Sequence, residues 1–541
     1  MQHYLSLIQD TMRSNWNRVA ITDFGGSVEY THGQIAEQVQ RLILLFDKIG
    51  VQPGDKIAIC GRNCCNWGVA YLAIAAYRCI AVSILPEFTS ESIHDFVNHS
   101  EAKCVFVGPW VRGRVDLTKM PNVEAFIAIE DLSVMSSKTP VSSEELADLY
   151  TQRFPKGLKP KDWVLPTDNM ESLALINYTS GSTGSPKGVM VTNRNLSNNV
   201  IYGLANIPNG PDKTLVSMLP LAHMFGLMFE FLYQIAGGTH VYFITKSITP
   251  ALLMEAFKKV HPYMILTVPL VIEKIFKKNI FPQIKRPLIT FLWYLPIIGR
   301  YVRKQVYNKL METFGGKLEV LIIGGAAFSK EVERCLKQIR FPYTCGYGMT
   351  ECAPLLCYAP WNDFAFGSCG RVIDNMELRV ESAHPTREPG ELLVRGEGVM
   401  RGYYKNLQAT DNVFTEDGWM RTGDIGIIDR RGNVFLRGRS KNMILGASGQ
   451  NIYPEEIEDK LNSLEGVSES VVVERDGKLI GLVFPENYAA EKLGELKQLM
   501  EKNLEKLNGL LPNFSKVSNI EIVEKEFEKT PKKSIKRFLY K

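Results

Sequence analysis

Tyr178-Thr179-Ser180-Gly181-Ser182-Thr183-Gly184-Ser185-Pro186-Lys187-Gly188 is the stretch on which the reading of this chain turns. Gly181 and Gly184 let the backbone approach an anion closely. The hydroxyls of Thr179, Ser180, Ser182 and Thr183 add donors, and Lys187 adds a positive point charge. Ahead of it, Leu173-Ala174-Leu175-Ile176-Asn177-Tyr178 predicts a buried strand. Behind it, Val189-Met190-Val191 resumes an apolar run. A donor-rich loop between two strands is suited to holding phosphate. The Walker A pattern is excluded, because Lys187 follows Pro186 and precedes Gly188 where that motif needs Gly-Lys-Ser/Thr opening a helix.

Four more segments follow at long intervals: Gly346-Tyr347-Gly348-Met349-Thr350-Glu351, Arg421-Thr422-Gly423-Asp424, Gly438-Arg439-Ser440-Lys441-Asn442 and Ser448-Gly449-Gln450-Asn451-Ile452-Tyr453-Pro454-Glu455. With the first loop, their order resembles the adenylate-forming superfamily of acyl- and aryl-CoA synthetases, peptide-synthetase adenylation domains and firefly luciferase. The resemblance runs from about 30 to 540 and is strongest to a bacterial-type long-chain fatty-acid–CoA ligase.

It implies an α/β fold: a large N-terminal domain, 1–440, with mixed, mostly parallel sheets flanked by helices, and a small mobile α+β domain, 441–541, hinged near Lys441. It also implies ATP, Mg²⁺ and coenzyme A. Thr179, Ser180, Gly181, Ser182, Thr183, Gly184 and Lys187 would grip the β- and γ-phosphates. Glu351, beside Thr350, would hold the metal. Asp424 would accept from both ribose hydroxyls, with Arg439 donating to the same sugar. Tyr347, Gly348 and the segment Gly324-Gly325-Ala326 look like the adenine site, although Gly-Gly after a strand is also an ordinary turn. Gly449 takes the position that lies beside the pantetheine tunnel in relatives.

One motif departs from the pattern. The family ends on Gly-Lys, its lysine touching the substrate carboxylate, whereas Thr530-Pro531-Lys532-Lys533-Ser534-Ile535-Lys536-Arg537 aligns Ser534 there. Lys533 is the nearest replacement, Lys536 the next, and a solvated basic tail the plain alternative. His223 falls near the expected acyl carboxylate, or is simply a satisfied helix-start histidine. The Met- and Phe-rich run Met218–Phe231 suits either an adaptable acyl cavity or a protein core.

Composition narrows the rest. A chain of 541 residues implies at least two domains. Its net charge of +5 is small for its length, and no zinc-finger or RNP pattern appears, so nucleic acid is not an expected partner. The N-terminus lacks the basic start and apolar core of a signal peptide. Ten cysteines without Cys-x-x-Cys spacing fit a reducing, cytoplasmic setting. No apolar run reaches the roughly 18 residues of a membrane span. The stretch 281–309 mixes Lys and Arg with Phe291, Trp293 and Tyr294. It reads as a core helix with a solvated face, or as a surface that rests on the inner face of an anionic membrane. The acid to be activated, and whether coenzyme A or a carrier protein accepts it, stay open. Segment 131–170, rich in Ser, Lys and Pro, predicts a surface connection.

Overall fold

Lys56–Cys60, Ile80–Ile84, Cys104–Val107 and Leu173–Thr179 are apolar almost end to end, the pattern of strands buried on both faces. In the computed structural model they are consecutive parallel strands, with Ala125–Ala128, of an eight-stranded sheet. The structure describes every residue except 180–186, 446–450, 487, 490–492, 531–534 and 541. A seven-stranded sheet stands beside the first. Its order is Tyr343–Cys345, Val320–Ile323, Met264–Thr267, Thr214–Ser217, His240–Ile244, Val19–Phe24 and Glu29–Thr31, and all neighbours but the last pair are parallel.

Helices cover these sheets, and their starts are legible locally. The helix His32–Lys48 begins at Thr31, whose hydroxyl accepts from the Gln34 amide at 3.2 Å while the Gln34 side chain accepts from the Thr31 amide at 2.8 Å. A four-stranded antiparallel sheet, Met376–Glu381, Gly390–Gly396, Met420–Ile428 and Val434–Arg439, follows in the chain. Beyond it, the hairpin Val467–Arg475 and Lys478–Pro485, joined by Asn519–Ile522, packs with the helices Pro454–Asn462 and Leu493–Gly509. Here the apolar core divides: Ile452, Ile457, Leu461, Val472, Val483 and Leu507 belong to a cluster that, among the described residues, includes nothing before Ile444.

Two segments differ from their sequence reading. Segment 131–170 is not all connection, since Val134–Ser137 adds an antiparallel edge strand and Ser143–Arg153 is a helix capped by Ser142. Tyr150 alone of that helix is buried, under the Arg41 guanidinium. Short elements that bury few of their residues leave little apolar periodicity to read. The core-helix reading of 281–309 holds for part of it only: Phe281 and Trp293 are buried, but Leu288, Phe291 and Tyr294 face solvent.

One polar network joins the two sheets. Glu230 is fully buried on the π-helical turn Leu227–Leu232, where its Oε2 accepts from the Ser217 hydroxyl at 2.8 Å and from the amides of Met218 and Leu219 at 2.9 and 2.8 Å. From the other sheet, the Asn63 side-chain amide donates to the Leu219 carbonyl at 2.7 Å and its oxygen accepts from the Leu221 amide at 2.8 Å. Asn177 donates to the Ala222 carbonyl at 2.8 Å. The loop 217–222 is thereby held from three sides just before His223.

Burial pushes the Glu230 carboxyl up to about 8, against the pull of its three donors. The unfolded carboxyl titrates near 4.3. The stabilising contribution is therefore complete below that value and is lost as pH rises toward 8, at no more than about 1.4 kcal/mol per pH unit. Glu230→Gln should accordingly gain stability relative to the parent protein as pH is raised from about 5 to about 8, read from thermal melts across that range. A difference that stays flat with pH would show that Glu230 does not titrate there. Glu230→Leu, which orphans the amides of Met218 and Leu219, should lose on the order of 1–3 kcal/mol near pH 5, where the parent carboxyl is neutral.

Candidate active site

Leu173–Thr179 and Lys187–Thr192 pair antiparallel, with Thr179 opposite Lys187, so the phosphate-loop segment closes a hairpin. Ser180, Gly181, Ser182, Thr183 and Gly184 lie outside the described residues, as do Gly449 and Lys533. The hairpin is anchored by Tyr178, whose ring stacks on Phe96 with centroids 4.4 Å apart and whose hydroxyl lies 2.7 Å from His99 Nδ1.

Lys187 does not stand alone. Its Nζ lies 4.8 Å from the centre of the Tyr403 ring, a cation–π contact. The Tyr403 hydroxyl in turn donates to Glu351 Oε1 at 3.0 Å. Gly402–Tyr403 reaches this place by adding an antiparallel strand beside Val189 and Met190. The Met400 amide donates to the Glu351 carbonyl at 2.8 Å, tying the Thr350–Cys352 turn to the same strand. The sequence reading missed Tyr403, although Gly402-Tyr403-Tyr404 before a polar turn was available as a signal. It connects the expected phosphate lysine to the expected metal carboxylate.

A second cluster forms around Asp424. Strand register sets Asp424 opposite Arg439, and Arg439 Nε lies 2.9 Å from Asp424 Oδ1. The buried Tyr347 donates its hydroxyl to Asp424 Oδ2 at 2.7 Å. Burial raises the Asp424 carboxyl, and Arg439 opposes that rise. Gly423, within the strand Met420–Ile428, takes φ 71°, which favours glycine, and its amide donates to Glu391 Oε1 at 3.0 Å. Sequence reasoning named all three members without the contacts among them. The adenine role expected for Tyr347 is an added demand on a residue whose hydroxyl already serves Asp424.

Gly324 follows the strand Val320–Ile323, and its amide donates to the Thr267 carbonyl at 3.0 Å. A Cβ there would lie 3.4 Å from the Phe225 ring and 3.6 Å from the Gly346 carbonyl. Gly325 takes φ 87°, which favours glycine. Ala326 is exposed beside it. Gly348 is pressed on the Pro354 carbonyl, where a side chain has no room. Three sequence-distant segments therefore meet at one wall.

His223 Nδ1 accepts from the Phe225 amide at 3.2 Å, so the residue caps the turn Met224–Gly226 as a helix-start histidine does. The Met- and Phe-rich run is mostly core, with Leu227, Met228, Phe229 and Phe231 buried, and Phe225 is the part that reaches Gly324.

At the C-terminal end, Lys441 sits in the short turn Ser440–Asn442, within electrostatic reach of Asp424, Arg439, Glu455 and Arg537. Asn442 donates to Glu455 at 2.6 Å, and Arg437 pairs with Glu456 at 3.2 Å. The basic tail is not merely solvated: Lys529 pairs with Glu469 at 2.6 Å, Lys536 with Glu528 at 3.3 Å, and Arg537 with the buried Glu458.

Residues 8–404 match the family model described as AMP-binding enzyme, and 441–540 match the AMP-binding enzyme C-terminal domain. A long-chain-fatty-acid–CoA ligase, FadD15, of Mycobacterium bovis is 27% identical over 470 residues, 82% of this chain and 75% of that protein. Long-chain-fatty-acid–CoA ligase 5 of Rattus norvegicus is 27% identical over 84% of this chain and 71% of its own. A long-chain-fatty-acid–[acyl-carrier-protein] ligase, AEE15, of Arabidopsis thaliana is 24% identical over 91% and 78%. Among solved structures, ATP-bound MatB from Rhodopseudomonas palustris superimposes with a TM-score of 0.78 at 21% identity, over 100% of this chain and 98% of that one. MenE from Bacillus subtilis, with ATP and magnesium, gives 0.75 at 18%, over 99% of each chain. The phosphate-loop hairpin, the Lys187–Tyr403–Glu351 chain of contacts and the Asp424 cluster are thus borne on a chain that belongs to the AMP-binding enzyme family, the adenylate-forming enzymes.

Proposed function

We propose that this chain is an AMP-forming acid–thiol ligase that activates a medium- or long-chain fatty acid with ATP and passes the acyl group to coenzyme A. The observation that carries this reading is the pairing of two charge clusters, Lys187–Tyr403–Glu351 and Tyr347–Asp424–Arg439, on one chain of this family. The long-chain ligases among its relatives support the choice of acid.

In the first half-reaction a carboxylate oxygen attacks the α-phosphorus of ATP. An O–P bond forms, the bond to the β-phosphate oxygen breaks, and pyrophosphate leaves. The obstacle is two like charges in contact, so fixed positive charge and orientation do most of the work. Lys187 and the loop hydroxyls hold the leaving phosphates. Asp424 and Arg439 hold the ribose, with Tyr347 and the Gly324–Ala326 wall beside the base. His223 stands by the acyl carboxylate, and Lys533 supplies the C-terminal cation. In the second half-reaction the thiol sulfur, as thiolate, attacks the acyl carbon, and AMP leaves with the electron pair.

Among the described residues no three carboxylate, His or Cys side chains converge as a protein-only metal cage. That fits magnesium, which takes one or two carboxylates together with phosphate oxygens and water. Glu351 would hold it, and the bound ion would neutralise charge on the phosphates.

The domain division at 440/441 and the mobility of 441–541 belong to this proposal, supported by the separate apolar core beyond Ile444. Limited proteolysis should cut first between about 440 and 450; first cuts inside either core would reject the division. Ten free thiols support a reducing, cytoplasmic setting, and no helix among the described residues is long and apolar enough to cross a membrane.

Acid-dependent ATP–pyrophosphate exchange, run from acetate to oleate and followed by transfer to coenzyme A or to a phosphopantetheinylated carrier protein, tests the whole reading. Lys187→Ala and Glu351→Gln should each lower exchange roughly tenfold to a hundredfold, the worth of one charge-assisted contact. Tyr403→Phe should lower it less, since it removes only the hydroxyl bond to Glu351 and keeps the ring against Lys187. Unchanged exchange in all three would mean that this cluster does not serve ATP.

Gly449→Leu should leave exchange nearly intact and suppress acyl transfer, because a side chain would enter the thiol path. Lys533→Ala should do the opposite, slowing adenylate formation while transfer from preformed acyl-adenylate survives. If Lys536→Ala is the damaging change instead, the C-terminal register is displaced.

A further inference from the structure

The helices Pro287–Tyr294 and Ile298–Thr313 lie side by side; the first, with the start of the second, turns apolar surface outward, while Val302, Val306, Tyr307 and Leu310 of the second pack on the core. Leu288, Phe291 and Tyr294 recur at three-residue spacing and are 68%, 64% and 72% exposed. Ile297 at 86% and Tyr301 at 65% continue the stripe onto the second helix. The opposite side fastens the pair to the body. Trp293 is buried and donates its indole N–H to Gln338 Oε1 at 3.0 Å, and Leu310 is buried below it. Arg303 donates to the Trp293 carbonyl at 2.6 Å, and Gly299 is pressed on the same carbonyl where a Cβ would collide.

This is an inverted arrangement for a surface helix, which ordinarily buries its apolar side. A contiguous exposed apolar patch marks a contact surface. Charge identifies the kind of surface. Between Glu273 and Glu312 the chain carries nine Lys or Arg and no Asp or Glu. Lys285 pairs with Glu331 at 2.8 Å, but Arg286, Arg300 and Lys304 border the stripe, exposed and without an ion pair among the described residues. Arg300 and Lys304 are one helical turn apart, on the side that carries Ile297 and Tyr301. Aromatic rings, branched aliphatics and unpaired cations on one face match the boundary of a bilayer, where apolar groups enter the acyl region and cations meet lipid phosphates.

We propose that the exposed face of these two helices docks on an anionic lipid surface. It holds the protein peripherally through the Leu288–Phe291–Tyr294 stripe and the Arg286, Arg300 and Lys304 cations. The inference is independent of which acid the site activates, because it concerns a surface and is read without substrates.

Flotation of the full chain with vesicles of phosphatidylcholine alone, and of phosphatidylcholine mixed with phosphatidylglycerol, tests it. The protein should float at least about tenfold better with the anionic vesicles. That binding should weaken as salt rises from about 0.1 to about 1 M, which shortens the screening length from about 10 to about 3 Å. Leu288→Glu with Phe291→Glu should abolish flotation on both vesicle types. Arg300→Gln with Lys304→Gln should erase only the preference for anionic lipid, and because it leaves the apolar stripe intact it also covers the case in which the glutamate variant folds poorly. Melting temperature and pyrophosphate exchange on a water-soluble acid should match the parent protein in the glutamine variant. No flotation with anionic vesicles, equal flotation with both, or flotation unchanged in every variant would overturn the proposal. So would a concentration-dependent dimer that the glutamate variant dissociates and vesicles fail to displace, which would assign the face to a second copy of the chain.

Discussion

The carboxylate of Glu230 is the contact on which the arrangement of the site depends. Two parallel sheets meet in this molecule, and the loop leaving Ser217 must run along their junction before it reaches His223. Backbone groups buried there need partners as surely as those in a helix do. Glu230 from the second sheet's side, and Asn63 and Asn177 from the first, supply them. The loop is thus fixed to both sheets at once, and Phe225, two residues beyond His223, is delivered to Gly324 and Gly346. An apolar residue at 230 would pack as well but would leave two amides orphaned in the core. A carboxyl pushed toward neutrality by burial is the chemical form in which the clamp is cheapest to keep.

The charged part of the site follows the same logic at shorter range. Asp424 is nearly as buried as Glu230, but Arg439 sits opposite it by strand register and Tyr347 closes on its other oxygen. Burial and the guanidinium pull its carboxyl in opposite directions, and the hydrogen bonds fix its orientation before any ligand arrives. Lys187 is treated differently. The Tyr403 ring steadies its ammonium through the ring face without neutralising it. By giving its hydroxyl to Glu351, the same tyrosine couples the position of the cation to that of the carboxylate.

The C-terminal segment obeys a separate economy. Its core closes on itself, and polar contacts tie it to the larger part: Arg437 to Glu456, and Lys277 to the carbonyls of Asn462 and Val467. Polar contacts of this kind exchange readily with water, unlike an apolar interface. Among the described residues of the C-terminal tail, Lys529, Lys536 and Arg537 each face a carboxylate.

Much of this was legible in order along the chain. The strand at Leu173–Tyr178 was readable to within a residue, because an unbroken apolar run leaves little freedom. The family itself, and the candidacy of Asp424, Arg439, Lys187 and Glu351 for its site, were likewise carried by local patterns that each need specific side chains. Other features had no local signature. Glu230 looks like one acid in an apolar run until folding brings Ser217 and two amides to it. Tyr403 is an ordinary tyrosine until a short edge strand sets it between Lys187 and Glu351. The helix Pro287–Tyr294 has the composition of a core helix, and only the packing of Trp293 decided that Leu288, Phe291 and Tyr294 point away from the protein. Periodicity records that a face is apolar. Which surface that face meets depends on residues distant in sequence, and that was settled by the tertiary structure alone.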